Sequence, residues 1–174
     1  ARHRFGEQEV LVLRVFAQML GSARQRRGLE AALKDERRRL EDIIEGTHAG
    51  TWEWNLSTRL ARYNGRWAEM LGLSLSELAP TTMATWEERV HPEDLPLALE
   101  QLSKHYIGHQ RFYVCELRMR HRDGHWIWVL ARGRVAEWTS DLKPLLVSGT
   151  HQDISIRKRA EAELRQNEAY LRAI

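Results

Sequence analysis

The chain has 174 residues, 43% apolar and 29% charged, which suits one globular domain with charged extensions and excludes a fibrous or wholly disordered chain. Its formal charge of +3 is too small to argue for nucleic acid, and the basic run Arg24, Arg26, Arg27, Lys34, Arg37, Arg38 and Arg39 reads as a solvated helix face. One cysteine, Cys115, excludes an internal disulfide framework and a cysteine-built zinc site and fits a reducing, cytoplasmic setting.

No stretch approaches the roughly 20 apolar residues a membrane helix needs. The run from Val10 to Leu20 is broken by Arg14 and Gln18 and lacks a cleavage site, so it is no signal peptide. The chain opens Ala-Arg-His-Arg, which reads as a piece of a longer protein. Helical periodicity then runs from Gly6 to about Glu45. Val10, Leu13, Ala17 and Leu20, with Leu11, Val15, Phe16 and Met19, cover more than one face, the pattern of a helix with two partners or a buried setting. Gly21 and Gly28 weaken it by about 1 kcal/mol each relative to alanine. From Leu29 the apolar positions narrow to a seam, Leu29, Leu33, Leu40 and Ile43, which predicts a short coiled coil and a dimer. Gly46 is the expected terminator.

Two short strands follow, near residues 50–56 and 59–63, joined at Ser57-Thr58, with Trp52 and Trp54 on one face. Asn64 can cap NGRWAEMLG, which places Trp67, Met70 and Leu71 on one side and ends at Gly72. Ser74 to Glu77 reads as a capping box. In HPEDLPLALEQLSKHYIGH, Pro92 takes a first-turn position, Glu93 and Asp94 lie near the positive end of the dipole, and Leu95, Leu99 and Leu102 fit helical spacing.

Three strands close the domain, near residues 111–121, 125–138 and 145–155. Tyr113, Cys115, Leu117 and Met119 alternate with polar residues, as do Ile127, Val129, Ala131, Gly133 and Val135. A three-residue loop, Arg122-Asp123-Gly124, with left-handed glycine, puts both sets on one face; a two-residue turn would split them. The other face then sets Arg118 across from Trp128 and Arg120 across from Trp126, where cation–π contact is expected.

The last strand runs without a break into a helix. Residues 160–174 align without gaps on residues 29–43, with Glu30, Ala31, Leu33, Leu40 and Ile43 matching Glu161, Ala162, Leu164, Leu171 and Ile174. The same kind of helix enters and leaves the middle domain, and Leu164 and Leu171 extend the expected dimer seam.

No phosphate loop, nucleophile elbow or dinucleotide fingerprint is present, so no catalytic residues are expected. His105 and His109 have helical i, i+4 spacing without a marked carboxylate or cysteine partner, and read as surface histidines near a helix end, not as metal ligands.

The segments HPEDLPLALEQL, ELRMRHRDGHWIWVLARGRV and GTHQDISIRKRAEAEL, in that order, resemble the PAS fold, a sensory module of signalling proteins. The last is similar to the family's carboxy-terminal, PAC-type motif, with Ser155 where the family has threonine. The leading helix resembles the end of a GAF domain. The resemblance implies an α+β fold: a five-stranded antiparallel sheet with helices on one face, spanning residues 46–156, with a linker helix over 1–45 and a signalling helix from 157 to 174. It implies that Asp153, Ile154 and Ser155 form the transmitting junction, with the Asp153 carboxylate pairing with a nearby arginine or lysine and capping the helix. His151 falls where flavin-binding relatives place a glutamine, facing a cavity for which Trp54, Trp67, Tyr113, Cys115, Leu117, Met119 and Val129 are further candidates. His151 fits equally a satisfied interior histidine, and the tryptophans fit core filler. The Asn-Cys-Arg motif of light-sensing relatives is absent and Cys115 lies on a strand, which argues against a flavin adduct; His105 would be the haem ligand if haem were bound. No cofactor is required. The implied partners are a second copy, a small ligand and an output domain in the parent chain, with a diguanylate cyclase preferred and a histidine kinase or a ligand-free dimerisation spacer as alternatives.

Overall fold

The computed structural model describes residues 7–172, without the side chains of residues 7–10, 12 and 13; Val10, Leu13 and the repeat's Ile174 therefore lie outside the described residues. The chain divides into two units, Ala1–Thr47 and His48–Ile174.

In the first unit, α1 (Glu7–Gly46) runs 40 residues. It passes through Gly21 and Gly28 without a break, because two isolated glycines cost less than a new pair of helix ends. Gly46 is its last residue, and Thr47 closes it: the Thr47 hydroxyl donates to the Ile44 carbonyl at 2.7 Å. The seam residues Leu29, Leu33, Leu40 and Ile43 are all more than half exposed.

The second unit is one five-stranded antiparallel sheet with helices over one face, as the resemblance implies. Its strands are β1 (Gly50–Asn55), β2 (Ala61–Tyr63), β3 (Tyr113–Arg120), β4 (Trp126–Trp138) and β5 (Pro144–Asp153), in the order β2-β1-β5-β4-β3. The helices are α2 (Gly65–Met70), α3 (Leu75–Leu78), α4 (Met83–Glu87), α5 (Leu95–Tyr106) and α6 (Ser155–Arg172).

The turn after β1 is organised by Asn55, whose Oδ1 accepts from the N–H groups of Ser57 and Thr58 at 3.1 and 3.0 Å. Asn64 ties β1 to α2, with Oδ1 accepting from Trp67 N and from Thr51 N, both at 2.9 Å. Glu77 closes the α3 box by accepting from Ser74 N at 2.8 Å. Helix α5 starts later than its sequence implies. Pro92, Glu93 and Asp94 form a turn in which Asp94 N donates to the His91 carbonyl, and the helix proper begins at Leu95, with Pro96 in its first turn. Its buried stripe is Ala98, Leu102 and His105, and Leu99 faces outward, so the spacing is helical but the buried face is turned by one residue.

The β3–β4 register is the one the pattern dictates: Cys115 faces Ala131, Leu117 faces Val129, Arg118 faces Trp128 and Arg120 faces Trp126. The three-residue loop has Gly124 at φ 89°, where any Cβ would be strained. Across the middle of the sheet, one row reads Tyr113, Gly133, Gly149, Trp52, Tyr63. The two glycines leave a trough, and the Trp52 indole lies in it: a Cβ on either glycine would stand 2.5 Å from that ring. An aromatic covering adjacent glycines restores the apolar surface they fail to supply.

Candidate functional site

Two places on this frame carry groups that a plain core would not need. The first is the inner face of the sheet. Trp52, Trp54, Trp67, Trp86, Tyr113 and His151 are at most 1% exposed. Trp52 packs on Trp54 with ring centroids 4.4 Å apart, meets Tyr113 edge-on at 6.4 Å and lies 5.7 Å from His151; Trp54 packs on Trp86 at 5.0 Å, and Tyr63 stacks on Trp67 at 4.0 Å. The candidates His151, Trp54, Trp67 and Tyr113 thus join one aromatic cluster, completed by Trp52. Cys115, Leu117, Met119 and Val129 are buried on the same inner face, further along β3 and β4.

His151 sits between Gly50 and Ala131 in register. Its Nδ1 accepts from Trp67 Nε1 at 2.8 Å, which assigns the ring proton to Nε2. Burial pushes its pKa down to about 3, because charging the ring would place a cation among apolar rings. Nε2 has no partner, and neither have Trp52 Nε1, Trp86 Nε1, Tyr106 Oη and Tyr113 Oη, all fully enclosed. Five such atoms are many, since an unpaired buried donor costs about 1–3 kcal/mol. The same burial pushes the hydroxyls of Tyr63 and Tyr106 up to about 12 and Tyr113 higher still. It also raises the Cys115 thiol, which leaves little thiolate for adduct chemistry.

His105 corrects its sequence reading. It is buried, on the inward stripe of α5, three residues after Leu102 and seven after Ala98. Its Nε2 accepts from Val135 N at 2.9 Å, and Nδ1 therefore donates to the Gln110 carbonyl at 2.9 Å. Both nitrogens are committed, so the ring offers no lone pair to a haem iron. His109 is exposed.

The second place is where β5 becomes α6. Ile154 is the one residue between them, buried to 7% exposure. Its N–H donates to the Trp128 carbonyl at 2.8 Å, and Trp128 N donates back to Ser155 Oγ at 3.0 Å. Asp153 Oδ1 accepts from Ser155 N at 2.8 Å, a local turn two residues on, one position before the N-cap itself, Ile154, whose carbonyl accepts from Lys158 N at 2.9 Å. The expected ion pair goes elsewhere. Arg157 and Lys158 pair with Glu116 on β3, both at 2.5 Å, while the Asp153 carboxylate is bonded to Ser155 N. Lys158, then Arg157, hold the Glu116 carboxyl below the usual range. The Trp128 ring takes Lys158 Nζ at 4.9 Å and, at 5.6 Å, the guanidinium of Arg118. Arg118 in turn forms a two-pronged pair with Asp94, at 2.9 and 2.8 Å, holding that carboxyl low. Polar contacts therefore run across the outer sheet face from the head of α5 to the root of α6. Sequence reasoning found Arg118 and Trp128 from the register but missed Glu116, whose only signal is that it lies two residues before Arg118 on the same outward face. An open groove of about 720 Å³ borders the junction, lined among others by Glu116, Leu130, Asp153, Ile154 and Arg157.

A sheet ordered 2-1-5-4-3, roofed by short helices and continued by a helix from its central strand, defines a sensory-type α+β domain. The family model described as PAS fold matches residues 60–151, and the chain belongs to that family. Among solved structures, it is similar to a sensory box histidine kinase/response regulator from Burkholderia thailandensis E264, at 29% identity and a TM-score of 0.69, over 78% of this chain and 99% of that one. It is also similar to the N-terminal domain of a diguanylate cyclase with PAS/PAC sensor from Marinobacter aquaeolei, at 22% identity and a TM-score of 0.55, over 63% and 98% of the two chains; at that identity the likeness shows the fold alone. No curated protein matches the sequence. Among the described residues, no helix is long and apolar enough to cross a membrane.

Proposed function

We propose that the chain is the sensory module of a multidomain bacterial signalling protein of the cytoplasm, which passes a change in its interior through β5 and α6 to an output domain. The observation that carries this reading is the root of α6. The helix starts one residue after a central strand, is hydrogen-bonded to β4 on both sides of Trp128, and has no buried residue along its own length. A helix anchored only at its root stabilises little within the domain, so its use lies beyond it. The unpartnered polar atoms of the core, His151 Nε2 and Trp52 Nε1 among them, support a small polar ligand, which would satisfy those it reached. Trp52 lying in the glycine trough supports the second reading, a ligand-free dimerisation spacer. For the output, a diguanylate cyclase and a histidine kinase both stand, and the 29% match to a histidine kinase/response regulator favours the latter. The leading helix as the end of a GAF domain, and the motif at 149–164 as PAC-type, belong to the same proposal.

The decisive experiment replaces Asp153 with alanine in the intact parent protein. Output activity is expected to lose its regulation while the domain stays folded by circular dichroism; unchanged regulation would remove the junction from the mechanism. Thermal shift separates the two readings of the interior, since a ligand at a hundred times its dissociation constant adds about 2.7 kcal/mol. An absorption band beyond the aromatic region in the purified protein would instead show a bound flavin or haem.

A further inference from the structure

The tip of the β3–β4 hairpin gathers side chains that the sensory reading does not use. Its tip reads His121-Arg122-Asp123-Gly124-His125, and one ligand atom from each of His121, Asp123 and His125 lies within 4.8 Å of the other two. The loop that gathers them is hydrogen-bonded: His121 N donates to the His125 carbonyl, and Gly124 N to the His121 carbonyl, both at 2.9 Å. The two imidazoles lie almost parallel, with centroids 4.4 Å apart and an interplanar angle of 25°.

Which nitrogen His121 presents is settled by its packing. Its Nε2 edge rests on Gly72, where a Cβ would stand 2.5 Å away. Nδ1 is therefore the accessible atom, and it lies 3.3 Å from Asp123 Oδ2. Tetrahedral ligands held at metal distances of about 2.0–2.1 Å stand about 3.3–3.4 Å apart, so this pair is already spaced for one ion. The competing contact at Nδ1 is a hydrogen bond from Asp123 N at 3.2 Å, which a metal–nitrogen bond replaces. Arg122, between the ligands, has its guanidinium drawn off to Glu77 at 3.1 Å, and its N–H donates to the Leu71 carbonyl at 2.9 Å, which ties the hairpin to the end of α2.

We propose that this hairpin is a binding site for a borderline divalent transition-metal ion, held by His121 Nδ1, an Asp123 carboxylate oxygen and a His125 ring nitrogen. Two imidazoles and one carboxylate suit zinc, nickel or copper, whereas magnesium and calcium ask for oxygen. Three protein ligands leave at least one coordination position for water or an outside donor. The loop is hydrogen-bonded before the ion arrives, which lowers the ordering cost of binding.

The test titrates zinc chloride into chelator-treated protein by calorimetry. One ion per chain is expected. His125→Ala and Asp123→Asn change exposed side chains, and each is expected to weaken binding by at least about tenfold, the smallest loss that follows from disturbing a zinc ligand's surroundings. His109→Ala is expected to change nothing, and magnesium chloride to give no binding heat. Absence of saturable zinc binding, or undiminished affinity in either hairpin variant, overturns the site.

Discussion

His151 shows how one side chain can carry two meanings until its neighbours are known. Its place in GTHQD marks an inward position on β5, and the structure supplies the cause of its state: a tryptophan N–H on one nitrogen and apolar rings around the other. An ordinary histidine titrates near about 6.5, and the folded one near about 3. Between these values the unfolded chain binds the extra proton. The contribution of His151 is therefore complete above about pH 6.5 and is lost as the pH falls, with a slope of up to about 1.4 kcal/mol per unit. His151→Gln keeps an acceptor for Trp67 but cannot titrate. Chemical denaturation between pH 5 and 6.5 is expected to show a slope in the parent protein that the variant lacks; parallel profiles would mean that His151 is not buried neutral.

The strands and the helix root hold the contacts on which the proposed transmission rests. The Gly133–Gly149 pair exists because Trp52 needs the space above it, and the strand pattern alone shows no more than a weak point. Gly149→Ala places a methyl group 2.5 Å from the indole and 2.0 Å from the Arg132 carbonyl. A loss of about 1–3 kcal/mol, the usual cost of overpacking, is expected in urea unfolding; an unchanged midpoint would show that Trp52 lies elsewhere. At the junction, Ser155→Ala removes the acceptor for Trp128 N–H, a contact of about 0.5–2 kcal/mol at a helix start. Hydrogen exchange in the first turn of α6 is expected to quicken while β1 and β3 stay protected. Equal quickening throughout the sheet would make Ser155 a general prop with no special tie to the helix. The ion pairs of Glu116 with Arg157 and Lys158 are partly solvated and contribute little to stability.

For the whole molecule, the exposed leucines are the open account. Leu29, Leu33, Leu40 and Ile43 on α1, and Leu164 and Leu171 on α6, are each more than half exposed, and apolar rows left in water mark surfaces that meet a partner. A homodimer is the expectation. Leu33→Glu with Leu40→Glu is expected to shift sedimentation toward monomer and leave the tryptophan fluorescence of the second unit unchanged. A parent protein already monomeric at high micromolar concentration would end the coiled-coil reading.

The element order, the β3–β4 register and the caps at Asn64 and Glu77 were legible in the linear sequence, because each rests on residues a few positions apart, where periodicity and turn chemistry act directly. The start of α5 was misread because Pro92 and Asp94 suit a turn as well as a first helical turn, and only packing against β3 chooses. His105 was misread as a surface residue, because its partner Val135 is brought to it only by the fold. The same holds for Glu116 as partner of Arg157 and for the glycine trough beneath Trp52. Local order follows from spacing along the chain. Which polar atoms are paired, and which are left without a partner in the core, depends on contacts between residues far apart in sequence, and only folding brings those together.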